Sequence, residues 1–266
     1  MANAVITGGT NGIGRSLAER LAREGHRVAV VGRSADAPAG VELIRGDLST
    51  LAGMAAVVAE VAGRFDVVDR LVLGAGRFQR RRVLTEDGLE HMFALYAVSR
   101  FVLVERLLPV LERSTSPVVV SVCGVAGPRG PGIRWDDLAL DRRYRASWAV
   151  SQGSRAADLL GAGFADRHPG SPVRYVLHNP MFVDSGLGAQ VGGLRGRALD
   201  LVAKRFARPV ADAADQVHRF LAPPPTAPLT ASRAGRPVDL DRPDLDRTAA
   251  ARLYALLDCI TANSAA

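Results

Sequence analysis

A doubly wound parallel α/β sheet, folded as one domain, is what this 266-residue sequence predicts. Short apolar runs rich in valine, isoleucine and leucine recur along the chain, as at residues 27–32 (RVAVVG) and 117–123 (PVVVSVC). Between them lie segments with apolar residues at helical spacing, such as Ile13, Leu17 and Leu21. The runs are unbroken and do not alternate with polar residues, as strands covered on both faces require. Helical crossovers make successive strands parallel, and right-handed crossovers place helices on both sides of the sheet.

Taken in order, residues 4–7 form a first strand, followed by a glycine turn and a helix reaching Gly25. Residues 27–32 are the second strand, 41–45 the third, and 51–63 a helix with an alanine and valine face. Residues 70–74 are the fourth strand, 86–112 a long helix, 117–123 the fifth strand and 173–177 the sixth. The proline-rich stretch 222–228 (APPPTAP) is the one candidate boundary, and the 38 residues after it are too few to bury a core of their own. They are expected to add a strand near 229–231 and a closing helix at 246–260 to the same domain, which then spans 1–266.

Composition excludes several classes. With 48% hydrophobic and 23% charged residues, the chain can fill a large core, which excludes disordered and fibrous proteins. No apolar stretch approaches the ~20 residues of a membrane span, and the opening runs straight into a structured motif, so a soluble cytoplasmic protein without membrane contacts is expected. Cys123 and Cys259 are the only cysteines, which leaves neither a disulfide framework nor a zinc site, and no metal is predicted. The net charge of +7 is carried by arginine, because Lys204 is the sole lysine. These arginines are scattered and lack interleaved aromatics, which argues against a nucleic-acid partner. Only Arg77, Arg80, Arg81 and Arg82 cluster, either as a solvated loop or as an attractor for an anionic substrate. A small-molecule substrate is expected, and a homo-oligomer is left open.

The first strand runs into Thr7–Gly14 (TGGTNGIG), with Gly8, Gly12 and Gly14 at the strand-to-helix turn and Thr10, Asn11 and Ile13 between them. Glycines there let the backbone approach a pyrophosphate, whose charge the amides at the helix N-terminus stabilise. The second strand ends at Gly32, Arg33 and Ser34 with no acid at its tip. An acid would accept bonds from a ribose diol and repel a 2′-phosphate, and arginine does the reverse, so NADPH/NADP+ is the predicted cofactor. Arg15, just behind the turn, is a second candidate partner for that phosphate.

The TGxxxGIG segment followed by Asp47 and Leu48 resembles the short-chain dehydrogenase/reductase superfamily, which has the Rossmann fold, and the likeness covers residues 3 to about 262. It implies that Asp47 contacts the adenine. The family's Asn-Asn-Ala-Gly turn appears as Leu73, Gly74, Ala75 and Gly76, with both asparagines gone. Pro180, Phe182, Val183 and Ser185 resemble its Pro-Gly-x-Val-x-Thr segment at the nicotinamide, with Met181 in place of the glycine. Residues 85–95 (TEDGLEHMFAL), 135–138 (WDDL) and 250–257 (AARLYALL) look most like the retinol-dehydrogenase-like branch. A lid is expected at 181–205, where Gly186, Gly188, Gly192, Gly193 and Gly196 lie.

The family's catalytic tetrad is missing. The serine position is Gly124, the tyrosine position Val150, the lysine position Ser154 and the asparagine position Tyr96. Three explanations stand. A hydroxylated aromatic substrate supplies its own proton from a phenol beside the carbonyl. Alternatively, the donor has moved to Tyr96, which lies four residues before Arg100 on one helix face, with Ser121 as a supporting candidate. Or no hydride moves, and the chain is an NADPH-binding partner subunit, sensor or cyclase. His178 and Cys123 read as structural. The lost tetrad and the arginine-rich composition resemble the atypical ketoreductases of angucycline antibiotic pathways, which implies a ketone of a polycyclic aromatic polyketide as substrate.

Overall fold

The computed structural model describes residues 1–34, 36–127, 132–181, 183 and 208–262. The strands are β1 (Asn3–Thr7), β2 (Arg27–Gly32), β3 (Glu42–Arg45), β4 (Arg70–Leu73), β5 (Val118–Val122), β6 (Arg174–Asn179), β7 (Leu229–Arg233) and β8 (Arg236–Pro237). They form one sheet in the order β3-β2-β1-β4-β5-β6-β7-β8. All pairs are parallel except β7 with β8. The chain winds outward from β1 to β3, then returns to the other side of β1 at β4. That reversal opens a crevice at the carboxyl ends of β1 and β4, where open α/β sheets bind ligands.

Strand alternation explains why the runs are apolar throughout. Ala4, Ile6, Val28, Val30, Val118 and Val120 enter one core, and Val5, Ala29, Val31, Leu71, Leu73 and Val119 enter the other. The first core is closed by α1 (Gly12–Arg23) and α5 (Val210–His218), through Leu17, Leu21 and Val217. The second is closed by α2 (Leu51–Arg64), by α3 at residues 91–111 and by α4 (Ala146–Arg167). The helix α3 starts at His91–Phe93, passes through a π-helical turn at Ala94–Val98 and continues as Ser99–Leu111. The closing helix α6 (Arg247–Ala262) lies on α4, where Tyr254 donates its hydroxyl proton to Leu160 O at 2.8 Å. This completes a single α/β domain.

The elements differ from expectation at three places. The long helix does not begin at 86. Gly88 takes a φ of 73°, Glu90 bridges back to Leu84, and the Glu90 carboxylate caps the helix by accepting the Phe93 N–H at 2.9 Å. The last strand runs on to Arg233 and turns back as β8, a hairpin that short polar residues did not announce. Helix α4 went unread because its buried residues are largely alanine and glycine, which give little periodic contrast, and α5 because it is only nine residues long.

Candidate active site

A cavity of about 1330 Å³ opens at the carboxyl ends of β1, β2, β4, β5 and β6. It exceeds the roughly 300–1,000 Å³ of common ligand sites, which leaves room for a dinucleotide and a second molecule. Its first wall is the glycine turn, with Gly8, Thr10, Asn11, Gly12, Ile13 and Gly14 all facing it. Gly8 adopts a φ of 69°, and a Cβ on Gly14 would stand 2.5 Å from Gly8 O. The turn and the first helical residue therefore touch backbone to backbone, and no larger residue fits. Asn11 makes no side-chain cap, so the amides that open α1 point at the cavity without a competing acceptor from that side chain.

Thr7, which sequence reasoning left out of the site, ties β1 to the turn after β4. Its hydroxyl accepts the N–H groups of Gly74 and Ala75, each at 3.1 Å. This fixes Gly74, Ala75 and Gly76 along the cavity floor although both asparagines of the family turn are absent.

At the adenosine end, Arg33, Ser34, Asp47 and Leu48 line the cavity. Arg33 Nη1 lies 3.5 Å from Asp47 Oδ2, with both side chains close to half exposed. Asp47 Oδ1 accepts from the Ser49 N–H at 2.9 Å and the Ser49 hydroxyl at 2.7 Å. Burial pushes the Asp47 carboxyl up, yet the Ser49 bonds and the Arg33 charge win and hold it below its usual range. The tip of β2 therefore has an acid within reach after all, supplied by the residues after β3. Arg15 is engaged by Glu19 at 2.9 Å and does not line the cavity. Of the arginine cluster, Arg77 lines the cavity, and Arg82 is held by Asp141 and by Ala139 O at 2.6 Å. The cluster does not converge on the cavity as a unit.

At the opposite end stand Tyr96, Arg100, Cys123, Val150 and Ser154, so three of the four positions that the resemblance equates with the tetrad line one part of the cavity. A Cβ on Gly124 would lie 2.9 Å from Ser154 Cβ, so the serine and lysine positions are in contact and a serine at 124 has no room. Tyr96 sits in the π turn, a feature common at functional sites. Its hydroxyl lies 2.7 Å from where a Cβ on Gly76 would stand. Burial pushes its pKa up and Arg100 pulls against this, so the phenol stays neutral. Ser121 is fully buried, accepts a hydrogen bond from Arg100 Nη1 at 2.6 Å and does not line the cavity. Cys123 does line it, and burial pushes its thiol well up, so it stays protonated. His178 is fully buried, and burial lowers its pKa to about 4, which leaves a neutral ring.

Pro180, Met181 and Val183 line the cavity, whereas Phe182, Ser185 and the remainder of the expected lid at 181–205 lie outside the described residues. Met181 occupies the position where the family has glycine, and it takes a φ of 70°. The backbone keeps the glycine conformation at a cost of about 1–2 kcal/mol. Asn179 holds it there, accepting the Met181 N–H at 2.8 Å while donating to Val125 O at 2.9 Å.

Beneath the floor, Asp158 is buried on α4 one turn beyond Ser154, and desolvation raises its pKa from 3.8 to about 7. The unfolded chain ionises this carboxyl near pH 4 and the folded chain does not, so its contribution to stability is complete below about pH 4. That contribution declines as pH rises to about 7. Asp158→Asn removes the titration, so its stability relative to the native chain should rise by a few kcal/mol across this window. Urea unfolding at pH 4 and pH 8 reads the difference, and an unchanged gap would show that Asp158 ionises normally.

Among the described residues no cluster of ligating side chains could hold a metal, and no helix is long and apolar enough to cross a membrane. A glycine-rich dinucleotide cradle at the switch point of a parallel sheet defines the class of protein. The short chain dehydrogenase family matches residues 2–135, and the chain belongs to it. The match ends before α4, the helix that carries Val150 and Ser154. A dehydrogenase/reductase SDR family member 12 from Bos taurus is 30% identical over 208 residues, 73% of this chain and 64% of that protein. Retinol dehydrogenase 13 from Homo sapiens is 28% identical over 202 residues, 71% of this chain and 61% of that protein. The chain therefore spans less than two thirds of the length of these curated relatives. The crystal structure of a protein from Mycobacterium paratuberculosis superposes with a TM-score of 0.73 at 27% identity, covering 98% of this chain and 93% of that one. Proteins of this fold have been solved with NADP or NADH bound.

Proposed function

We propose that this chain is an NADPH-dependent ketoreductase that acts on a ketone of a polycyclic aromatic polyketide, angucyclinone-like, in antibiotic biosynthesis. The substrate itself supplies the proton. One observation carries this reading: the glycine turn, Arg33, Asp47 and Gly74 line one part of the cavity, while Val150 and Ser154, the positions that the resemblance equates with the family's acid and lysine, line another.

The residues fit the cofactor. Gly8, Thr10, Asn11, Gly12, Ile13 and Gly14 would hold the pyrophosphate, Arg33 and Ser34 the 2′-phosphate, and Asp47 and Leu48 the adenine. Gly74, Ala75 and Gly76 would border the ribose, and Pro180 and Val183 the nicotinamide. When bound, NADPH supplies a hydride. With a hydride so supplied to the carbonyl carbon, the C=O electron pair would move to oxygen, and the adjacent phenol O–H would break to give its proton to that oxygen. The phenolate left behind takes a proton from water. Arg100 and the neutral Tyr96 border the place where this charge appears.

The test mixes purified protein with NADPH and a series of hydroxylated polycyclic quinones. NADPH absorbance should fall in step with formation of the alcohol. Cofactor that binds tightly but is never oxidised by any of them would replace this reading with that of a non-redox partner subunit, sensor or cyclase.

A further inference from the structure

Arg100 is the feature of the cavity that the family resemblance leaves unexplained. It lies on α3 one turn beyond Tyr96 and is only 2% exposed. Its Nη1 donates to Ser121 Oγ at 2.6 Å and its Nη2 to Val122 O at 2.8 Å. Its Nε is buried without a partner among the described residues. The guanidinium carbon stands 5.5 Å from the centre of the Tyr96 ring. These partners are neutral, and Arg100 pairs with no carboxylate among the described residues. Yet it forms part of the wall between Tyr96, Val122 and Cys123, at the end of the cavity away from Arg33 and Asp47.

A guanidinium cannot give up its proton, so burial cannot neutralise it. A buried cation without a counter-charge is costly, and its field is strong because little water screens it. The ionisable groups around it are Tyr96 on α3, Cys123 just after β5, Asp158 on α4 and Tyr175 on β6, and its charge favours the anionic form of each. Burial holds Tyr96, Cys123 and Tyr175 neutral, whereas Asp158, raised to about 7, gains its charge as pH rises through neutrality and, standing outside the cavity wall, leaves the cavity side of Arg100 without an anion. The positive charge is left for whatever enters the cavity.

We propose that Arg100 is the anion receptor of the substrate end of the cavity, favouring the ionised form of an acidic hydroxyl that sits beside the reacting carbonyl. This rests on the reading of the substrate as a hydroxylated aromatic ketone, and it assigns the charge that stabilises the phenolate formed as the proton leaves. Arg33 and Arg77 do not serve here, because both belong to the adenosine end, where they border a second recess with Asp47 and His91.

The experiment uses 1,8-dihydroxyanthraquinone as probe, with the protein saturated in NADP+ so that nothing is reduced. Ionisation moves the dye's visible band to longer wavelength, so its phenol can be titrated while bound. Bound to the native protein, the phenol should ionise at least about tenfold more readily than in water. Arg100→Met should abolish this gain, and Arg100→Lys, which keeps the charge without the fork, should keep part of it. A bound dye that titrates as it does in water, or identically in the native protein and Arg100→Met, overturns the proposal. Should Arg100→Met fail to fold, the native titration and Arg100→Lys decide. Failure of the dye to bind at all sinks the aromatic-substrate reading, and this proposal with it; binding without a shift sinks the role of Arg100 alone.

Discussion

Replacing Arg33 with alanine should weaken NADPH binding by roughly 10²-fold while leaving NADH within a few-fold. Arg33 stands just beyond the carboxyl end of β2, where a first βαβ unit would bring the adenosine ribose. Its contact with Asp47, at 3.5 Å, is long, and Asp47 is already served by two bonds from Ser49. The guanidinium is therefore free to turn to a stronger acceptor. A 2′-phosphate offers up to two negative charges and bidentate geometry, and hydrogen bonds between charged groups contribute about 1.5–3 kcal/mol each. NADH lacks that phosphate, so it loses almost nothing. Asp47 lessens the native preference by repelling the phosphate, and Asp47→Asn should accordingly sharpen it. Calorimetric titration of both cofactors separates the terms. Equal losses for NADPH and NADH in Arg33→Ala would show that the arginine does not read the phosphate.

The glycine turn was legible in the sequence because backbone demands write themselves into residue type. Gly14 must be glycine since its Cβ would strike Gly8 O at 2.5 Å, and the spacing of such glycines between a strand and a helix survives without any structure. Met181 shows the limit of that logic: the position holds a φ of 70° without glycine, so only the alignment of neighbouring Pro180 betrayed it. The other end of the cavity was legible only as an absence. That no tyrosine or lysine occupies positions 150 and 154 can be read from the chain, but what replaces them cannot. Arg100 lies four residues from Tyr96 in the sequence, and periodicity puts the two on one helix face. It does not reveal that the guanidinium is buried against neutral partners, because that depends on Ser121 and Val122, which come from another strand. The start of α3 at His91 was hidden for a similar reason, since the cap is made by Glu90 after a glycine turn, inside what reads as continuous helix.

Methylating the phenol next to the reacting carbonyl should cost at least roughly 10²-fold in turnover, the scale associated with a positioned proton donor. The alkoxide formed by hydride addition needs a proton, and the protein has little to give. Val150 has none, the buried Cys123 thiol is held well above its usual pKa, and Ser121 does not face the cavity. Ser147 and Ser154 also line the cavity, but an aliphatic hydroxyl is a far weaker acid than a phenol, which leaves Tyr96 as the side chain with the right chemistry among the described residues at this end. Its hydroxyl sits under the Gly76 turn, where burial keeps it neutral. If Tyr96 were the donor, Tyr96→Phe would lose the same 10²-fold or so, and the methyl ether would react as well as the phenol. The substrate-assisted mechanism requires the opposite pattern. Tyr96→Phe and Ser121→Ala should each keep most of the activity, because neither is the acid, and the methyl ether should be nearly inert while still binding. Steady-state kinetics on the matched pair of quinones distinguish a lost proton from lost affinity, since the former lowers kcat and the latter raises KM. Equal kcat for the phenol and its methyl ether would overthrow the substrate as proton source and return the role to Tyr96.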